Sequence, residues 1–364
     1  MLIGIDASRA VVFPRTGTEN YSLQLIRHLL ALDTHHHYRL YFNRHLPLAT
    51  CHLPLATCHL RIIPFPRLWT HLRLSWEMAR RPPDILFVPA HVLPLIHPRR
   101  SVVTIHDLGY LYYADAHRPF DRWYLHWSTS YHVRAASHLI ADSQTTRDDL
   151  IRHYRAAPER VTVVPPGCDE VFHPLTDEDR LAQAKGRYGI HGDYLLHVGT
   201  VQPRKNLGRL LDAFARLGGK VQLVLVGKWG WMYDRIFRRV EELELGDRVL
   251  FTGHVPQEDL PSLMSGARLL VMPSLYEGFG LPVVEAMASG TPVVCSNASS
   301  LPEVAGDAAL LVDPLDVEAL AEAMRRLLED QELRAELIAR GLQRARHFSW
   351  PRCARQVLSI LETA

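Results

Sequence analysis

Residues 268–290 read RLLVMPSLYEGFGLPVVEAMASG, and this segment constrains the fold more than any other part of the chain. Its apolar start is typical of a buried strand, and a helix is predicted over residues 283–289, before Gly290 and Pro292. The turn EGFGLP between them contains glycines that allow a close backbone approach and a proline suited to the first helical position. A strand, a glycine turn and a helix start in this order predict an α/β unit with a phosphate site at the helix N-terminus.

Two carboxylates frame this phosphate site, Glu277 in the turn and Glu285 in the helix. Two facing carboxylates are also the arrangement that hydrolyses glycosidic bonds. Since a phosphate-type loop separates them here, we favour a phosphorylated ligand whose hydroxyls the two acids bind. Glu285 would also complement the positive end of the helix dipole, but that effect does not account for Glu277.

The length of 364 residues exceeds one ordinary core and predicts two domains. A net charge of +2 creates no field that would attract nucleic acid, so no nucleic-acid partner is expected. No apolar run reaches the roughly 18 residues that span a bilayer, and the start MLIGIDASRA lacks the charged region of a signal peptide. The five scattered cysteines are therefore expected to be reduced thiols in a cytoplasmic protein.

Predicted strands alternate with predicted helices in both halves of the chain, on either side of a break at PPGCD, residues 165–169. This alternation predicts two doubly wound, Rossmann-like parallel sheets that face each other across a cleft. The break predicts domains over residues 1–167 and 168–347. The first half opens as a nucleotide-binding unit does, but the GxGxxG fingerprint is missing, which argues against a dinucleotide.

A perfect tandem repeat, HLPLATC twice, occupies residues 45–58. Two copies are too few for a solenoid, so we interpret them as a local duplication in a surface loop. The alternative is a metal site made from Cys51, His52, Cys58 and His59. Their spacing matches no common zinc pattern, and no metal is expected in this protein.

Residues 61–81 are rich in arginine and aromatic side chains, and one face of a predicted helix carries Leu68, Leu72, Trp76 and Ala79. The first interpretation is that this face packs on its own domain. The alternative is a surface that touches a membrane or a lipid-linked substrate.

Polar residues follow predicted strands in both halves, at the edge where open α/β sheets bind ligands. His106 and Asp107 follow a buried strand in the first half, and Arg204 and Lys205 follow one in the second. Paired cations in this place are typical of a diphosphate clamp, although a solvated loop pair would look the same. The glycine-rich helix start in the same half favours the clamp.

The motif EGFGLPVVE, from Glu277 to Glu285, resembles the E-x7-E signature of the retaining glycosyltransferase family 4, which has the two-domain GT-B fold. Further matching blocks lie at residues 105–108, 165–167, 197–207, 253–256 and 299–306. The resemblance spans nearly the whole chain. It implies a nucleotide-sugar donor bound mainly by residues 168–347 and an acceptor bound mainly by residues 1–167. It also implies a last helix, within residues 348–364, that packs back on the first domain.

The resemblance implies a role for each matching residue. Arg204 and Lys205 would hold the donor diphosphate, Glu285 the ribose hydroxyls and Glu277 the sugar near the reacting carbon. His106 would approach the sugar's C6 region, and Gly17 would let the first loop approach the diphosphate. The implied catalytic residues are His106, Arg204, Lys205 and Glu277. The implied donor site comprises Gly17, Gly199, Arg204, Lys205, Val255, Glu277, Gly278, Phe279, Gly280, Leu281 and Glu285, with backbone N–H groups from residues 279–281 facing the phosphate and sugar.

The chain departs from the family pattern at two positions. Many members have an arginine directly after the glycine that matches Gly199, whereas this chain has Thr200, so Arg204 is expected to take that place. The first loop reads Gly17-Thr18 where a double glycine is usual.

The resemblance further implies transfer with retention, in which the leaving diphosphate accepts the acceptor's proton on the same face of the sugar. No metal is implied, because cations and a helix N-terminus can stabilise the leaving group. The blocks PRKN, GKWGW and SSLPE look like those of bacterial mannosyltransferases that use GDP-mannose. UDP-glucose or another UDP-hexose is the alternative donor. The expected acceptor is a glycan or a lipid-linked glycan in polysaccharide biosynthesis. The protein is expected to be cytoplasmic, and the alternative is a peripheral protein at the inner face of the plasma membrane.

Two other classes of protein share this fold. A nucleotide-sugar 2-epimerase would need an acid/base set for proton abstraction, which the sequence does not present convincingly. A non-catalytic nucleotide-sugar-binding protein would be expected to have lost part of the charged set, which is intact here.

Overall fold

The computed structural model describes residues 1–13, 15–44, 58–65, 67–90, 92–113, 118–230 and 233–364. Over these residues the chain divides into two compact units. The first unit comprises Met1–Gly167 and Ser349–Ala364, and the second comprises Cys168–Phe348. None of the helices in these ranges is both long and apolar enough to cross a lipid bilayer.

The first unit is a parallel sheet covered by helices. Its strands are β1 (Leu2–Asp6), β2 (His37–Phe42), β3 (Cys58–Ile62), β4 (Ile85–Val88), β5 (Ser101–Ile105), β6 (His138–Ala141) and β7 (Val161–Val163). Its helices are α1 (Gly17–Leu32), α2 (Ser75–Arg80), α3 (Pro119–Ala135), α4 (Gln144–Tyr154) and the last helix, α13 (Trp350–Thr363).

The seven strands of this sheet run in the order β3-β2-β1-β4-β5-β6-β7 and pair in parallel. Consecutive side chains of β4 enter two different apolar clusters, with Ile85 and Phe87 in one and Leu86 and Val88 in the other. Such a strand is buried on both faces, which explains why its sequence is continuously apolar. The doubly wound parallel sheet predicted for this half is confirmed.

The second unit repeats the plan. Its strands are β8 (Tyr194–Val198), β9 (Gln222–Val226), β10 (Val249–Gly253), β11 (Leu269–Met272), β12 (Val293–Ser296) and β13 (Leu310–Val312). Its helices are α5 (Glu178–Arg187), α6 (Leu207–Ala215), α7 (Asp234–Glu242), α8 (Leu260–Ser265), α9 (Leu281–Ala288), α10 (Leu301–Ala305), α11 (Val317–Glu329) and α12 (Gln331–Ala345).

The second sheet has the parallel strand order β10-β9-β8-β11-β12-β13. Strands β9 and β10 therefore follow one another on one side of β8, and β11, β12 and β13 follow one another on its other side. The carboxyl ends of strands at such a switch point form the usual ligand site of an open α/β sheet. The loops that follow β8 and β11 are thus the parts of this unit best placed to bind a ligand.

The last helix belongs to the first unit, as predicted. Trp350, Cys353, Val357 and Leu361 of α13 are buried in the same apolar cluster as Leu25 of α1. Gly167 lies so close to the start of α13 that a Cβ on it would be 2.2 Å from the Trp350 backbone nitrogen. Only glycine fits at this position, where the segment Met1–Gly167 ends beside the start of the segment Ser349–Ala364.

Gly17, the first glycine of the predicted donor site, lies in a helix and not in the predicted loop. It is the first residue of α1. The helix starts early because Glu19, in its first turn, accepts a hydrogen bond from the Thr16 N–H at 3.0 Å. The Thr16 side chain accepts in turn from the Glu19 N–H, and this capping box satisfies backbone donors that would otherwise lack a partner.

Residues 61–81 pack on their own unit, as first expected, but not through the predicted face, because Trp69, Leu74 and Met78 are the residues buried in its apolar cluster. Arg61 lies in β3, and a π-helical segment, Trp69–Leu74, leads into α2. Leu68, Leu72 and Trp76 are each more than half exposed, so the apolar face points away from the core of its own unit. The tandem repeat falls almost wholly outside the described residues, which resume at Cys58, the first residue of β3.

Candidate functional site

Three predicted site residues come together at the switch point of the second sheet. Arg204 and Lys205 lie in a short 3₁₀ turn after β8, and Glu277 lies in the loop after β11. The Lys205 Nζ is 2.5 Å from Glu277 Oε1, and an Arg204 guanidinium nitrogen is 3.0 Å from Glu277 Oε2. The two loops are also joined through their backbones, since the Leu275 N–H donates to the Arg204 carbonyl at 2.8 Å.

The electrostatics of this cluster favour a fully ionised state. The side chains of Lys205 and Glu277 are each only 7% exposed. Burial alone would raise the pKa of Glu277, but the charges of Lys205 and Arg204 lower it to about 2. The cluster of one carboxylate and two cations thus carries a net charge of +1 in the second unit. The sequence analysis assigned Glu277 to the sugar and did not foresee its contact with the two cations.

Two serines that the sequence analysis gave no role brace the Glu277 loop. The Ser299 hydroxyl accepts a hydrogen bond from the Glu277 N–H at 3.1 Å and donates to the Glu277 carbonyl at 2.5 Å. The Ser300 hydroxyl lies 2.9 Å from the carbonyls of Glu277 and Phe279. These contacts fix the loop backbone from the segment after β12. The only sequence signal for them was the matching block at residues 299–306.

The glycine turn leads into α9 as predicted, but the helix begins at Leu281 and not at residue 283. Gly280 caps it with φ +103°, a conformation that residues with a Cβ rarely adopt. A Cβ here would also lie 2.6 Å from Leu301 Cδ2. The loop therefore needs glycine for two independent reasons, and it delivers the first N–H groups of α9 beside the loop that holds Glu277.

Glu285 lies in the body of α9, apart from the ion cluster. Its side chain is half-buried, and within the described ranges its carboxyl makes no hydrogen bond or ion pair. Burial, with a smaller contribution from the Asp169 charge, raises the pKa of Glu285 to about 8. Once ionised, this carboxyl could accept hydrogen bonds from a ligand's hydroxyls.

Gly199 and His197 lie next to the ion cluster, close to Lys205. A Cβ on Gly199 would be 3.0 Å from Lys205 Cε and 3.3 Å from His197 Nε2. The His197 Nδ1 lies 2.9 Å from the Val271 carbonyl, while its buried Nε2 has no hydrogen-bond partner among the described residues. Burial and the Lys205 charge lower the pKa of His197 to about 4. The ring is therefore neutral, with Nδ1–H donating and an acceptor lone pair on Nε2.

Val255 and Phe279, two further residues of the predicted set, are buried in the apolar core of the second unit. Phe279 packs edge-on against Phe348, with ring centroids 5.5 Å apart. Their side chains thus hold the site's backbone in place, and only their backbone groups remain available to a ligand.

His106, the predicted site residue after β5, belongs to the first unit. Its Nδ1 is 2.7 Å from Asp142 Oδ2, and its Nε2 is 2.9 Å from the Pro89 carbonyl oxygen. Burial by itself lowers the pKa of His106, but the charge and hydrogen bond of Asp142 raise it above the ordinary value. Asp142, which directly follows β6, was not singled out from the sequence.

Comparison with known proteins yields consistent matches along the chain. Residues 15–172 match the family model Glycosyltransferase Family 4, and residues 187–344 match Glycosyl transferases group 1. O-antigen chain mannosyltransferase B of Escherichia coli is 32% identical over 98% of each chain. The serotype-specific mannosyltransferase WbdA of Escherichia coli is 31% identical over 71% of this chain and 32% of its own. The structure of sucrose-phosphate synthase from Thermosynechococcus elongatus superposes with a TM-score of 0.78 over 100% of this chain and 98% of its own, at 24% identity, and thereby supports the GT-B fold.

Proposed function

The chain belongs to glycosyltransferase family 4 and is a hexosyltransferase, and we propose that it transfers mannose from GDP-mannose to a glycan or lipid-linked acceptor with retention of configuration. The observation that supports this most is the cluster of Arg204, Lys205 and Glu277 at the switch point, beside the N-terminus of α9. A nucleotide sugar needs such a site for its diphosphate.

The cluster suits a diphosphate because it fixes two cations on one carboxylate. Arg204 and Lys205 both contact Glu277, in a site with little exposure to water. The N-terminus of α9 would add the positive end of the helix dipole. As the bond to the sugar breaks, charge grows on the diphosphate, and cations fixed in advance stabilise this charge without reorganising.

Each of the other predicted residues has a proposed place in the donor site. Glu285 would accept hydrogen bonds from the ribose hydroxyls, and Gly199 would leave room for the diphosphate above Lys205. Backbone groups of Val255 and residues 278–281 would line the nucleotide sugar. Gly17 and His106, from the first unit, would complete the site toward the diphosphate and the sugar's C6 region.

The proposed mechanism uses the leaving group as the base. The acceptor hydroxyl would attack on the face from which the diphosphate departs, and a diphosphate oxygen would take its proton. Arg204 and Lys205 would hold the diphosphate in place during this step and replace the metal ion that many transferases use. Activity in the presence of EDTA tests metal independence, and complete loss that Mg²⁺ or Mn²⁺ restores would contradict it.

Mannose is the preferred sugar because the relative that matches the chain from end to end is named as a mannosyltransferase. The PRKN, GKWGW and SSLPE blocks, which resemble those of bacterial mannosyltransferases, support the same choice. UDP-glucose or another UDP-hexose remains the second candidate donor.

A donor panel with purified protein tests the proposal. GDP-mannose, UDP-glucose, UDP-galactose and UDP-N-acetylglucosamine would each be offered with a mannose-terminated acceptor, and released GDP or UDP would be measured together with the glycosylated product. We expect GDP release coupled to an α-mannoside. Epimerised sugar without acceptor would favour a 2-epimerase, and binding without turnover of any donor would favour a nucleotide-sugar-binding protein.

We also propose that the first unit contacts a membrane through residues 61–81 and the segments beside them. The exposed apolar residues Leu68, Leu72 and Trp76 belong to the first segment, and Leu95, Ile96, Phe120 and Trp123 to the others. The segments adjoin because His71 Nε2 bonds the Tyr124 hydroxyl at 2.8 Å and the Ile96 N–H donates to Ser75 Oγ at 3.3 Å. We name this surface the aromatic face.

The charges around the aromatic face select an anionic bilayer as its occupant. Arg67, Arg80 and Arg122 are exposed there beside the exposed Asp121, whereas Glu77 is buried and bonded to Arg61. Co-sedimentation with phosphatidylglycerol vesicles should exceed that with phosphatidylcholine vesicles and should fall with salt. Leu72→Glu with Trp76→Glu should abolish it while transfer to a water-soluble acceptor persists, and equal binding by this variant would contradict the proposal.

A further inference from the structure

Both ring nitrogens of His106 lie within hydrogen-bond distance of an oxygen atom. The Pro89 carbonyl oxygen, 2.9 Å from Nε2, can only accept a hydrogen bond. The Asp142 carboxylate, 2.7 Å from Nδ1, also accepts. A neutral imidazole has a single N–H and could satisfy only one of them. The two contacts together therefore require one proton more than a neutral ring and an ionised carboxylate possess.

That additional proton belongs on the imidazole. The ordinary pKa of histidine, 6.5, exceeds that of aspartate, 3.8. Burial raises the pKa of Asp142, but the contact lowers it and raises the pKa of His106, so the ring is the stronger base of the two. The pair is then an imidazolium and a carboxylate joined by a charge-assisted hydrogen bond. Asp142 is 5% exposed, so water competes little for this bond.

Among the described residues, the charged neighbours that act on His106 are carboxylates, those of Asp142 and Asp107. From α1, the Tyr21 ring meets the His106 ring edge-on, with centroids 4.7 Å apart. From α13, Cys353 faces the same cluster, and burial raises the pKa of both Tyr21 and Cys353, which keeps them neutral. The Asp107 carboxylate accepts from the Gly109 N–H at 3.0 Å, and its negative charge favours a protonated ring, as that of Asp142 does.

We propose that Asp142 is a positioning residue for the transfer reaction, which holds His106 as an imidazolium with its ring fixed between Asp142 and the Pro89 carbonyl. This inference rests on the proposed function, in which His106 approaches the donor's sugar. The two hydrogen bonds and the contact with the Tyr21 ring hold the protonated imidazole in one orientation. A neutral ring would lose one of its two hydrogen bonds. The fixed positive charge would stabilise negative charge that develops on the donor.

The direct test is the protonation state of His106 in protein labelled with ¹⁵N-histidine, without any substrate. The His106 signals are those missing from His106→Gln. We expect both nitrogens to be protonated at pH 7.5 in the wild type and the ring to be neutral at that pH in Asp142→Asn. A neutral His106 in the wild type would overturn the proposal. Since no substrate is present, this result does not depend on the donor or the reaction.

The second test is the pH profile of turnover. Asp142→Asn should lower kcat by at least about tenfold at pH 8 with little change in the donor KM, and should move the alkaline loss of activity to lower pH. In a His106→Gln background the same change should have no further effect. Asp33→Asn is the matched control, since Asp33 contacts His36 at the same 2.7 Å outside the proposed site.

The control should keep the wild-type pH profile. Unchanged kcat and pH profile in Asp142→Asn, with His106 deprotonated, would show that the charge has no role in transfer and would overturn the positioning role. Failure of the proposed function looks different, because the wild type itself would then transfer no sugar from any donor. Thermal melts of each variant separate loss of folding from loss of rate.

Discussion

Lys205 Nζ lies 2.5 Å from Glu277 Oε1, so the loops after two adjacent strands of the second sheet are joined by a buried ion pair. Arg204 contacts the other oxygen of the same carboxylate. The site that we propose for the diphosphate is therefore assembled before a ligand arrives. A carboxylate that holds two cations fixes their positions and also limits the charge that must be buried with them.

Replacement of Lys205 by methionine, which keeps most of the side-chain volume, should lower kcat/KM for the donor by at least about 100-fold, because a fixed charge facing the leaving diphosphate is lost. Steady-state kinetics with the donor identified by the panel measure this. The exposed Lys220→Met is the matched control and should retain wild-type kinetics. Near-normal turnover of Lys205→Met would contradict the diphosphate clamp.

Binding of the product nucleotide should strengthen as the pH rises, because Glu285, whose pKa is raised to about 8, must ionise to accept two ribose hydroxyl bonds. A carboxyl with this pKa goes from about one-tenth to nine-tenths ionised between pH 7 and pH 9, so the dissociation constant of GDP should fall about tenfold. Isothermal titration calorimetry measures it. Glu285→Gln should remove this dependence, and an unchanged slope in that variant would exclude Glu285 as its source.

Acid should destabilise the second unit through His197. The pKa of this buried ring is lowered from 6.5 to about 4, so the unfolded chain binds a proton that the folded one does not, and stability falls as the pH drops from 6.5 toward 4. Each pKa unit corresponds to about 1.4 kcal/mol, which gives a loss of roughly 3 kcal/mol at most.

Urea unfolding at pH 7.5 and pH 4.5 measures this loss. His197→Asn keeps an amide that can donate to the Val271 carbonyl but does not titrate in this range. The variant should therefore lose less free energy of unfolding between the two pH values than the wild type. Equal losses would mean that other groups cause the acid sensitivity.

Gly280→Ala should destabilise the fold by about 1–3 kcal/mol, since φ +103° strains any residue with a Cβ and that Cβ would meet Leu301. It should also raise the donor KM, because the N–H groups at the start of α9 would move. Gly208→Ala is the matched control, as a Cβ there meets no atom within 4 Å and the residue is helical. Thermal unfolding and donor kinetics should show no loss in the control, and equal effects in both variants would contradict the role of the Gly280 turn.

The local part of the site could be predicted because each element of it is encoded within a few residues. The strand, the glycine turn and the helix of residues 268–290 follow from apolar runs, a positive-φ glycine and a proline. The error of two residues at the start of α9 arises because Leu281 fits equally well in a loop or in a first helical turn.

The contacts between distant segments could not be predicted in the same way. Nothing local in the sequence distinguishes Ser299 from other serines, or Asp142 from other acids that follow a strand. Their roles arise from strand order, which brings the segment after β12 to the Glu277 loop and the end of β6 to His106. For residues 61–81, periodicity identified the shared face of Leu72 and Trp76 but could not indicate whether another element covers it.

The place of α13 has a consequence for the order in which the protein becomes complete during synthesis. Residues 1–167 leave the ribosome first, but their core lacks Trp350, Val357 and Leu361 until the whole second unit has been made. Domains generally fold as they emerge, so here the contiguous second unit can finish folding while the first still exposes the apolar groove that α13 fills. The first unit is therefore synthesised before the second but completes its folding after it. In a nascent chain that stalls before residue 349, the first unit and not the second would be the target of chaperones and proteases.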